Sequence, residues 1–332
     1  NRIWDKNKKI WLVPLLSYKT ILGKDFAWTQ KALEKKEETK DFLNTLVSYK
    51  FKEYQVQGKL RPYQVAGAEY LKVAKKALLA DDMGLGKTIQ SISAVLSLNA
   101  QKVLILCPAS LKQNWFNEFQ IHFGIQPTIV SGIQEERGKL WNSNSRFIIA
   151  NYDLLLRDWN EIPKKWDAII ADEVVYLKTW SAKRTKLAKR LKSEIRIGLS
   201  GFPMEKDLAE FHSIMDWVVP DLLPNFFRFK ARYCVTDNFG TIVNYKNLEE
   251  LQEIISPFFL RRIKGDVLKD LPPKISVDVE LELSSSARKV YNAIRDEFLQ
   301  WLEENSSKPG WQNNALTKAI RLRQFVEFPQ LV

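Results

Sequence analysis

A lysine and a threonine that directly follow two glycines form the part of this sequence with the clearest chemistry. Residues 78–88 read L-L-A-D-D-M-G-L-G-K-T, a short apolar run and a glycine turn, followed by helix-like spacing of apolar residues. Gly84 and Gly86 let the backbone bend closely around a polyphosphate. Lys87 can then reach the β and γ phosphates of a nucleotide, and the Thr88 hydroxyl can coordinate Mg²⁺. The stretch predicts a phosphate-binding loop, the alternative being a surface turn with an unrelated lysine.

One residue of this loop departs from the strict phosphate-loop pattern G-x-x-x-x-G-K-[ST]. Asp81 stands where that pattern has a small residue. The helix expected to begin near Lys87 nevertheless places its positive dipole end beside a bound phosphate. The loop by itself is therefore a good but incomplete match, and a second chemical element is needed to support it.

Two acidic residues follow an apolar stretch further along the chain. The segment I-I-A-D-E at 169–173 predicts a strand that ends at Asp172 and Glu173. In a Mg²⁺-nucleotide site, Asp172 can hold the metal, usually through water, and Glu173 can orient and deprotonate the attacking water. Two acids after a strand can also be the ordinary start of a loop. The phosphate loop upstream makes the nucleotide site the stronger interpretation.

The elements that must position these residues are strands alternating with helices. Continuous apolar strands separated by helical spacing, such as that of residues 111–119, predict an α/β fold with a parallel sheet covered by helices on both faces. Ligands of such sheets bind at the carboxyl ends of the strands, where the glycine loop would lie. The strand candidates are 77–80, 103–107, 147–150, 168–171 and 195–200.

Composition favours a nucleic-acid partner and excludes several other classes. The 332 residues, of which 45% are hydrophobic, suffice for two domains with their own cores. No apolar run has the roughly 18 residues of a membrane span, and no signal-like segment is present, so we expect a soluble intracellular protein. The cysteines and histidines are isolated, which indicates neither a disulfide framework nor a zinc site. The net charge of +12 favours polyanions, most commonly nucleic acid.

The cations are most concentrated in residues 178–196, where Glu194 is the single acid. Helical spacing would direct Leu187 and Leu191 to a core and the cations outward. Lys183 and Arg184 are the candidate DNA contacts of this segment, with an ordinary solvated helix face as the alternative.

Smaller basic groups lie at 6–9, 228–232 and 261–264. The last two alternate with phenylalanines, which can stack on bases but more commonly fill a core. These phenylalanines are Phe226, Phe227, Phe229, Phe258 and Phe259.

Several motifs together resemble those of a known family. The chain contains L-R-P-Y-Q at 60–64, A-D-D-M-G-L-G-K-T-I-Q at 80–90, L-I-L-C-P-A-S-L-K-Q-N-W at 104–115, N-Y-D-L-L at 151–155, I-A-D-E at 170–173 and L-S-G-F-P-M at 199–204. In order and spacing these resemble the successive motifs of the Snf2 family of superfamily 2 helicase-like ATPases. The segments F-F-L-R-R-I-K-G-D-V at 258–267 and L-P-P-K at 271–274 resemble that family's own signature. The resemblance covers roughly residues 55–332 and looks closest to bacterial and annealing-helicase-like members.

The resemblance implies a fold and a division into domains. The implied fold is a RecA-like parallel sheet with helices on both faces, plus a helical insertion and the start of a second lobe. The implied parts are an accessory segment at 1–50, an ATP-binding lobe at 51–220, the helical insertion at 221–273, and a linker with the beginning of the second lobe at 274–332. In the last part we expect a strand at 277–283, a helix at 286–303, a loop at 304–312 and a helix at 322–332.

The resemblance also implies roles for individual residues. Gln64 matches the glutamine that recognises adenine, and its amide can both donate and accept a hydrogen bond, as an adenine edge requires. Lys87 and Thr88 match the phosphate and Mg²⁺ residues, and Asp172 and Glu173 match the metal-binding and catalytic acids. The other implied site residues are Arg61, Gly84 and Gly86 for the nucleotide, and Ser110, Lys112, Asn151 and Tyr152 for the DNA backbone.

The implied function is an ATP-driven motor that uses Mg²⁺ and moves along double-stranded DNA without reading its sequence. Such a protein is DNA-associated inside the cell and can have a protein target on the DNA, whereas no membrane partner is expected. An RNA helicase fits less well because of the signature at 258–274. The sequence contains no second run of strand-helix units and no arginine motif to complete the site, so we expect slow turnover from these residues alone.

A second hypothesis comes from three departures from the family pattern. Val174 and Val175 stand where the family usually has Ala-His, and Phe202 replaces the threonine of a G-T-P motif. Those positions normally help to link the nucleotide state to DNA contacts and to lobe closure. Their loss would be compatible with a nucleic-acid-binding regulatory module whose catalysis is weakened.

Overall fold

The structure is a computed structural model. It describes residues 3–5, 10–12, 60–204, 207–237, 241–268, 282–307 and 311–327. The chain divides into two compact units, residues 1–270 and 271–332, and each unit is described by itself.

Eleven strands lie in the described part of the first unit. They are β1 (Ile3–Asp5), β2 (Ile10–Leu12), β3 (Lys76–Leu79), β4 (Val103–Cys107), β5 (Thr128–Ile129), β6 (Phe147–Asn151), β7 (Lys165–Asp172), β8 (Lys192–Leu199), β9 (Cys234–Thr236), β10 (Ile242–Tyr245) and β11 (Phe259–Leu260). Strands β1 and β2 pair antiparallel, as do β9 and β10, while the other seven form one parallel sheet in the order β11-β3-β8-β7-β4-β6-β5.

The helices connect and surround this sheet. Those of the first unit are α1 (Pro62–Ala74), α2 (Lys87–Ser97), α3 (Lys112–Phe123), α4 (Gln134–Trp141), α5 (Leu154–Arg157), α6 (Lys183–Arg190), α7 (Leu208–Val218), α8 (Phe226–Tyr233), α9 (Leu248–Ile255) and α10 (Lys264–Val267). Short 3₁₀ turns occur at Ala109–Leu111, Val174–Leu177 and Ser256–Phe258.

The apolar runs of the central strands explain why the sheet is covered. All five residues of β4 are buried, as are the four central apolar residues of β7. A parallel strand without alternation of polar residues requires cover on both of its faces, and the helices supply it. The predicted α/β class with a parallel sheet is confirmed, and each of the five strand candidates overlaps an observed strand.

Helix ends follow from local residue types. Pro62 begins α1, where its missing N–H costs nothing. The Asp207 carboxylate accepts a hydrogen bond from the Glu210 N–H at 3.0 Å and so caps α7. Gly124 ends α3 in a left-handed conformation with φ of 65°. The helix predicted at 111–119 is therefore present, but it begins after a 3₁₀ turn and extends to Phe123.

The basic segment 178–196 contains a helix followed by the start of a strand. Helix α6 ends at Arg190, and Leu191 has an extended backbone although its side chain is buried as expected. The expectation that all cations face outward is wrong for Arg196, which lies on β8 and is only 6% exposed. Its guanidinium donates to the carbonyls of Leu191 at 2.6 Å and Trp217 at 2.9 Å. Arg196 belongs to the predicted strand 195–200, where pairing with β3 and β7 on either side buries it.

The phenylalanines of the other basic segments have different environments. Phe229 and Phe258 are core residues, 0% and 2% exposed. Phe227 is 70% exposed, and the ring of Phe226 stacks on Trp180 with centroids 4.6 Å apart. The group therefore divides between core and surface. The basic residues at 6–9 lie outside the described residues.

The second unit contains α11 (Ser285–Asn305) and α12 (Trp311–Glu327). The first matches the helix predicted at 286–303, while the helix predicted from residue 322 begins earlier, at Trp311. Most of the strand predicted at 277–283 lies outside the described residues. Within the part of the chain that the structure describes, no helix is both long and apolar enough to cross a membrane. The domain boundaries proposed from the sequence remain predictions.

Candidate nucleotide site

The phosphate loop connects the end of β3 at Leu79 to the start of α2 at Lys87. Gly84 and Gly86 both have left-handed backbones, with φ of 80° and 72°. A Cβ atom at Gly86 would also lie 2.3 Å from the Nε2 atom of Gln64. Glycine is thus required at position 86 for its conformation and for the close approach of Gln64.

Lys87 lies inside this loop. Its ammonium donates to the backbone carbonyls of Asp81 at 2.8 Å and Asp82 at 3.3 Å. Burial lowers the pKa of Lys87, while the nearby acids, Asp81 and Glu173 first among them, oppose that shift. The cation therefore lies within the loop. A phosphate oxygen bound there would be a stronger acceptor for it than either carbonyl.

Gln64 lies beside the same loop, as its predicted role requires. Its Nε2 atom donates to the Leu85 carbonyl at 3.3 Å, and its Oε1 atom accepts from the Arg61 N–H at 2.9 Å. Arg61 precedes α1, and its side chain is exposed. The structure brings Gln64 to the loop, while recognition of adenine by its amide remains a prediction.

Strand register brings the acidic residues to the lysine. Leu199 on β8 pairs with Leu79 on β3 on one side and with Asp172 on β7 on the other. The three strands therefore end at one level of the sheet. The segment after β8 also approaches the lysine, because a Cβ atom at Gly201 would lie 3.8 Å from the Lys87 ammonium.

Asp172 has fixed partners on its side chain and its backbone. The Trp115 indole N–H donates to its Oδ2 atom at 2.8 Å, and the Glu173 N–H donates to its Oδ1 atom at 3.0 Å. The Tyr152 hydroxyl donates to the Asp172 carbonyl at 2.8 Å. Burial raises the pKa of Asp172 above its usual value. The hydrogen bonds from Trp115 and Glu173 and the charge of Lys87 oppose this shift but do not cancel it.

Glu173 has an unusual backbone. Its φ of 47° and ψ of 56° lie in the left-handed region, which non-glycine residues rarely occupy. The residue begins the 3₁₀ turn Val174–Leu177, where its carbonyl accepts from the Tyr176 N–H at 3.0 Å. Strain of this kind is concentrated at functional sites. It supports the assignment of Glu173 to the site.

The oxygen donors present fit a Mg²⁺ ion bound with a nucleotide. Mg²⁺ in phosphate sites uses one or two protein oxygens and completes its coordination with water and phosphate. Thr88 in the first turn of α2 and Asp172 are donors of that kind. Among the described residues there is no group of three or more histidine, cysteine or acidic side chains that could hold a metal alone.

The sequence interpretation missed Arg262 as a determinant of the phosphate loop. The Arg262 Nε and backbone N–H both donate to Oδ1 of Asp81 at 3.0 Å, and its Nη2 donates to Oδ2 and to the Gln90 amide oxygen. Gln90 in turn donates to Asp81 at 3.2 Å and to the Leu85 carbonyl at 3.0 Å. Asp81 is fully buried, so its charge needs this partner. The departure at position 81 is thus one half of an ion pair.

The segment that contains Arg262 forms two further hydrogen bonds with the phosphate loop. The Asp82 N–H donates to the Arg262 carbonyl at 3.0 Å, and the Lys264 N–H donates to the Asp82 carboxylate at 3.0 Å. The available sequence signals were an acid at an unexpected position in one motif and paired arginines in another. Their separation of 181 residues hides the contact.

The candidate DNA contacts lie after β4, at the end of β6, which is a neighbour of β4 in the sheet, and at the start of α6. Ser110 is exposed, and the Lys112 ammonium donates to the Val130 carbonyl at 3.1 Å. Asn151 ends β6 and is half-buried. Lys183 is exposed, and Arg184 forms an ion pair with Asp153 at 3.1 Å.

Tyr152 differs from the expectation for a DNA contact. Its side chain is 1% exposed, and its hydroxyl faces Asp172 instead of the solvent. The ring of Tyr176, which is 46% exposed, lies parallel to it at 5.1 Å, and Arg184 lies 5.4 Å from the Tyr176 centroid. Tyr152 therefore exposes almost no surface to a phosphate, and its predicted contact with DNA remains a prediction.

The residues that depart from the family pattern also have different environments. Val174 is fully buried among core residues, and Val175 packs against that core. Phe202 is 57% exposed and lines an apolar groove of about 250 Å³ with Met204 and Leu248. Two of the three departures therefore add apolar contacts inside the lobe, while the third adds an exposed ring.

Most of this chain is similar to known proteins. The sequence model of a family described as SNF2-related domain matches residues 63–331. An uncharacterized ATP-dependent helicase of Mycoplasma pneumoniae is 34% identical over 284 residues, which are 82% of this chain and 27% of that protein. Chromodomain-helicase-DNA-binding protein 7 of Homo sapiens is 29% identical over 309 residues, 85% of this chain and 10% of that protein. The chain therefore spans about a quarter or less of these relatives.

Solved structures with a similar fold belong to the same family. The SWI2/SNF2 ATPase core of Sulfolobus solfataricus in complex with dsDNA matches with a TM-score of 0.58 and 30% identity, over 85% of this chain and 61% of that chain. The ATPase core domain of the same organism matches with a TM-score of 0.54 and 31% identity, over 85% and 59%. These matches confirm the predicted RecA-like arrangement of the sheet.

Proposed function

The chain belongs to the family of SNF2-related domains, and from that membership and the site geometry we propose that it is the ATP-binding half of a motor that moves along double-stranded DNA. The observation that carries the proposal is the common level at which β3, β8 and β7 end. There Leu199 pairs with both Leu79 and Asp172, so the phosphate loop and the acid pair flank one strand. Ligand sites of parallel sheets lie at this edge.

The chain's own residues divide the chemistry among them. Bound ATP with Mg²⁺ supplies the phosphoryl group and the charge that polarises it. The Lys87 ammonium exchanges its carbonyl partners at Asp81 and Asp82 for phosphate oxygens. Thr88 and Asp172 offer the metal oxygens, and Glu173 orients a water molecule and accepts its proton.

The DNA side of the proposal rests on the edge next to this site. Lys112, Lys183 and Arg184 provide cations near the ends of β4 and β6 without any arrangement that selects a base. Contacts of that kind bind phosphates irrespective of sequence and weaken steeply with salt. The solved Sulfolobus core in complex with dsDNA supports a duplex as the partner.

Nucleotide binding tests the ATP side. We expect residues 1–332 to bind a fluorescent ATP analogue in the presence of Mg²⁺, and Lys87→Ala to weaken that binding at least about tenfold, since it removes the phosphate cation. Lys192→Ala is the matched control, because it removes the same charge from the opposite end of β8. Equal affinities of Lys87→Ala and Lys192→Ala would overturn the assignment of the loop.

Duplex binding tests the DNA side. The affinity for unrelated duplex sequences should be equal and should fall with salt, by a slope near 0.9 for each phosphate contact. Replacing Lys183 and Arg184 together by alanine should reduce that slope by about 2. A duplex affinity that depends on sequence, or a slope unchanged in this double variant, would contradict the proposed interface.

The alternative function is a nucleic-acid-binding regulatory module with weakened catalysis. It is favoured by Val174, which is fully buried where the family usually has a small residue followed by a polar one, and by the exposed Phe202. The test is the DNA-stimulated ATPase rate, with Glu173→Gln as the inactive reference. Under the motor hypothesis, Phe202→Thr changes the stimulated rate less than about twofold. A large gain in that variant would favour the regulatory module.

The same assay tests the prediction that residues 1–332 alone hydrolyse ATP slowly.

A further inference from the structure

Two fully buried aromatic residues reach Asp172 from different elements. Trp115, on α3, donates its indole N–H to the Asp172 carboxylate at 2.8 Å. Tyr152, just after β6, donates its hydroxyl to the Asp172 carbonyl, also at 2.8 Å. Trp115 is 0% exposed and Tyr152 is 1% exposed. Together they fix both the side chain and the backbone of the residue that would hold the metal.

Each aromatic residue belongs to a segment that carries a candidate DNA contact. Lys112 lies three residues before Trp115, so the two share one side of α3. The helix is anchored to the sheet, because Phe119 packs against Phe147 on β6 with ring centroids 4.6 Å apart. Because Lys112 and Trp115 both belong to the first turn of α3, a displacement of that turn moves the Trp115 indole with it.

The second route runs through stacked rings. Arg184 lies 5.4 Å from the centroid of Tyr176, and Tyr176 stacks on Tyr152 at 5.1 Å with an interplanar angle of 4°. Arg184 is also bound to Asp153, the residue next to Tyr152. A short chain of contacts thus leads from a surface cation to the Asp172 carbonyl.

We propose that Trp115 and Tyr152 are positioning residues through which bound duplex DNA sets the geometry of Asp172 and thereby the affinity for Mg²⁺-nucleotide. The inference deepens the proposed function and rests on it. Its physical basis is that Lys112 and Arg184 each exchange a hydrogen-bond partner within the protein for a DNA phosphate. A phosphate bound by Lys112 competes with the Val130 carbonyl, and a phosphate bound by Arg184 competes with Asp153. Either exchange acts on a chain of contacts that leads to Asp172, through Trp115 in one case and through Tyr152 in the other.

A purely structural role predicts a different result. If the two aromatic residues only fill the core, replacing each by phenylalanine changes stability and leaves the interaction between the two ligands intact. If they transmit DNA binding, loss of the indole N–H and of the hydroxyl reduces that interaction. Binding of one ligand must change the affinity for the other by the same factor in both directions, so the factor can be measured twice.

The chain offers a matched control for each variant. Trp141 is 0% exposed and donates its indole N–H to the Asp158 carboxylate at 3.1 Å, away from the site on α4. Tyr233 is 1% exposed and donates its hydroxyl to Glu250 at 3.0 Å. Trp141→Phe and Tyr233→Phe therefore remove the same groups from equally buried positions.

The experiment measures the dissociation constant of a non-hydrolysable ATP analogue with Mg²⁺, with and without saturating duplex DNA, on residues 1–332 and each variant. We expect duplex DNA to change it about fivefold or more in the parent protein. The double variant Trp115→Phe, Tyr152→Phe should bring that factor close to one, while Trp141→Phe and Tyr233→Phe keep it. Thermal unfolding of every variant verifies that it is folded.

The possible outcomes separate the two proposals. A parent protein that binds neither ligand contradicts the proposed function, and the inference falls with it. A parent protein that binds both ligands without coupling, or a double variant that keeps the full coupling, overturns the inference and leaves the proposed function standing. Should the double variant fail to fold, the single variants Trp115→Phe and Tyr152→Phe are each expected to reduce the coupling factor by half or more.

Discussion

Two buried aspartate–arginine pairs lie at opposite ends of the same sheet. Asp81 pairs with Arg262 beside β3, and Asp158 pairs with Arg137, which lies on α4 after β5. In both pairs the carboxylate is 0% exposed, and the arginine side chains are similarly covered, 12% and 14% exposed. The type of interaction and its burial are the same in both pairs. Different effects of removing them must therefore come from the segments that each pair connects.

The connections differ. Asp158 also accepts a hydrogen bond from Trp141 at 3.1 Å and joins α4 to the end of α5 over 21 residues. Asp81 accepts from Gln90 at 3.2 Å and joins the phosphate loop to a segment 181 residues away. The first pair stabilises a local arrangement, whereas the second shapes the loop that we propose binds phosphate. The chain thus uses one type of contact both for stability and for the geometry of the candidate site.

Removing either arginine should give the largest effect on stability and should separate the roles of the two pairs. Arg262→Ala and Arg137→Ala each leave a buried carboxylate unpaired, so each should lower the free energy of unfolding by about 3–5 kcal/mol in urea titrations. Only Arg262→Ala should also weaken binding of the ATP analogue, at least about tenfold, because only Asp81 belongs to the loop. The milder variants Arg262→Lys and Arg137→Lys serve if folding is lost. Equal nucleotide affinities in the two alanine variants would refute the distinction.

A change of pH should remove the stability effect of the Arg137 pair. Burial raises the pKa of Asp158, but the hydrogen bonds from Arg137 and Trp141 outweigh it and the pKa is lowered overall. A lowered pKa in the folded state means that the contribution to stability is present above the unfolded pKa of about 3.9 and is lost as pH falls through the folded value.

We therefore expect Arg137→Gln to cost about 2 kcal/mol of unfolding free energy at pH 7 and progressively less below about pH 4. Urea unfolding of the parent protein and the variant between pH 3 and pH 7 measures the difference. A cost that stays constant down to pH 3 would show that the pair contributes by packing instead of charge.

A glycine substitution tests the loop with a smaller change. Gly86→Ala and Gly124→Ala both place a Cβ atom on a left-handed backbone, with φ of 72° and 65°, and each should cost about 1–2 kcal/mol. No atom lies within 4 Å of a Cβ at Gly124, whereas one at Gly86 would collide with Gln64. Nucleotide binding should therefore weaken only in Gly86→Ala. Similar affinities in both variants would argue against Gln64 as part of the site.

The exposed Arg184–Asp153 pair should give the smallest effect. The Asp153 side chain is 55% exposed, so Asp153→Ala should change the free energy of unfolding by less than about 1 kcal/mol. The variant frees Arg184 and removes a negative charge beside the candidate DNA contacts, so duplex affinity should rise about twofold at low salt. Glu161→Ala, which removes an exposed acid elsewhere, is the control. A fall in duplex affinity would place the DNA away from α6.

The sequence by itself determined the elements whose signals are local. Five apolar runs predicted five strands of the sheet, and the pattern of residues 78–88 predicted the loop between β3 and α2, because strand burial and glycine conformation depend on neighbours along the chain. Asp172 and Glu173 were found in the same way, as the polar end of an apolar run. Spacing placed Leu187 in the core and Arg196 in a strand, but it could not show that the Arg196 guanidinium is buried against the carbonyls of Leu191 and Trp217.

Only the tertiary structure decided which of these residues meet. The register of β3, β8 and β7 brings Asp172 to the level of the phosphate loop, and this register depends on pairings between distant segments. Arg262 reaches Asp81 across 181 residues, and Trp115 reaches Asp172 across 57. A buried charge or a buried indole N–H requires a partner, but sequence spacing does not name that partner, because packing in three dimensions selects it.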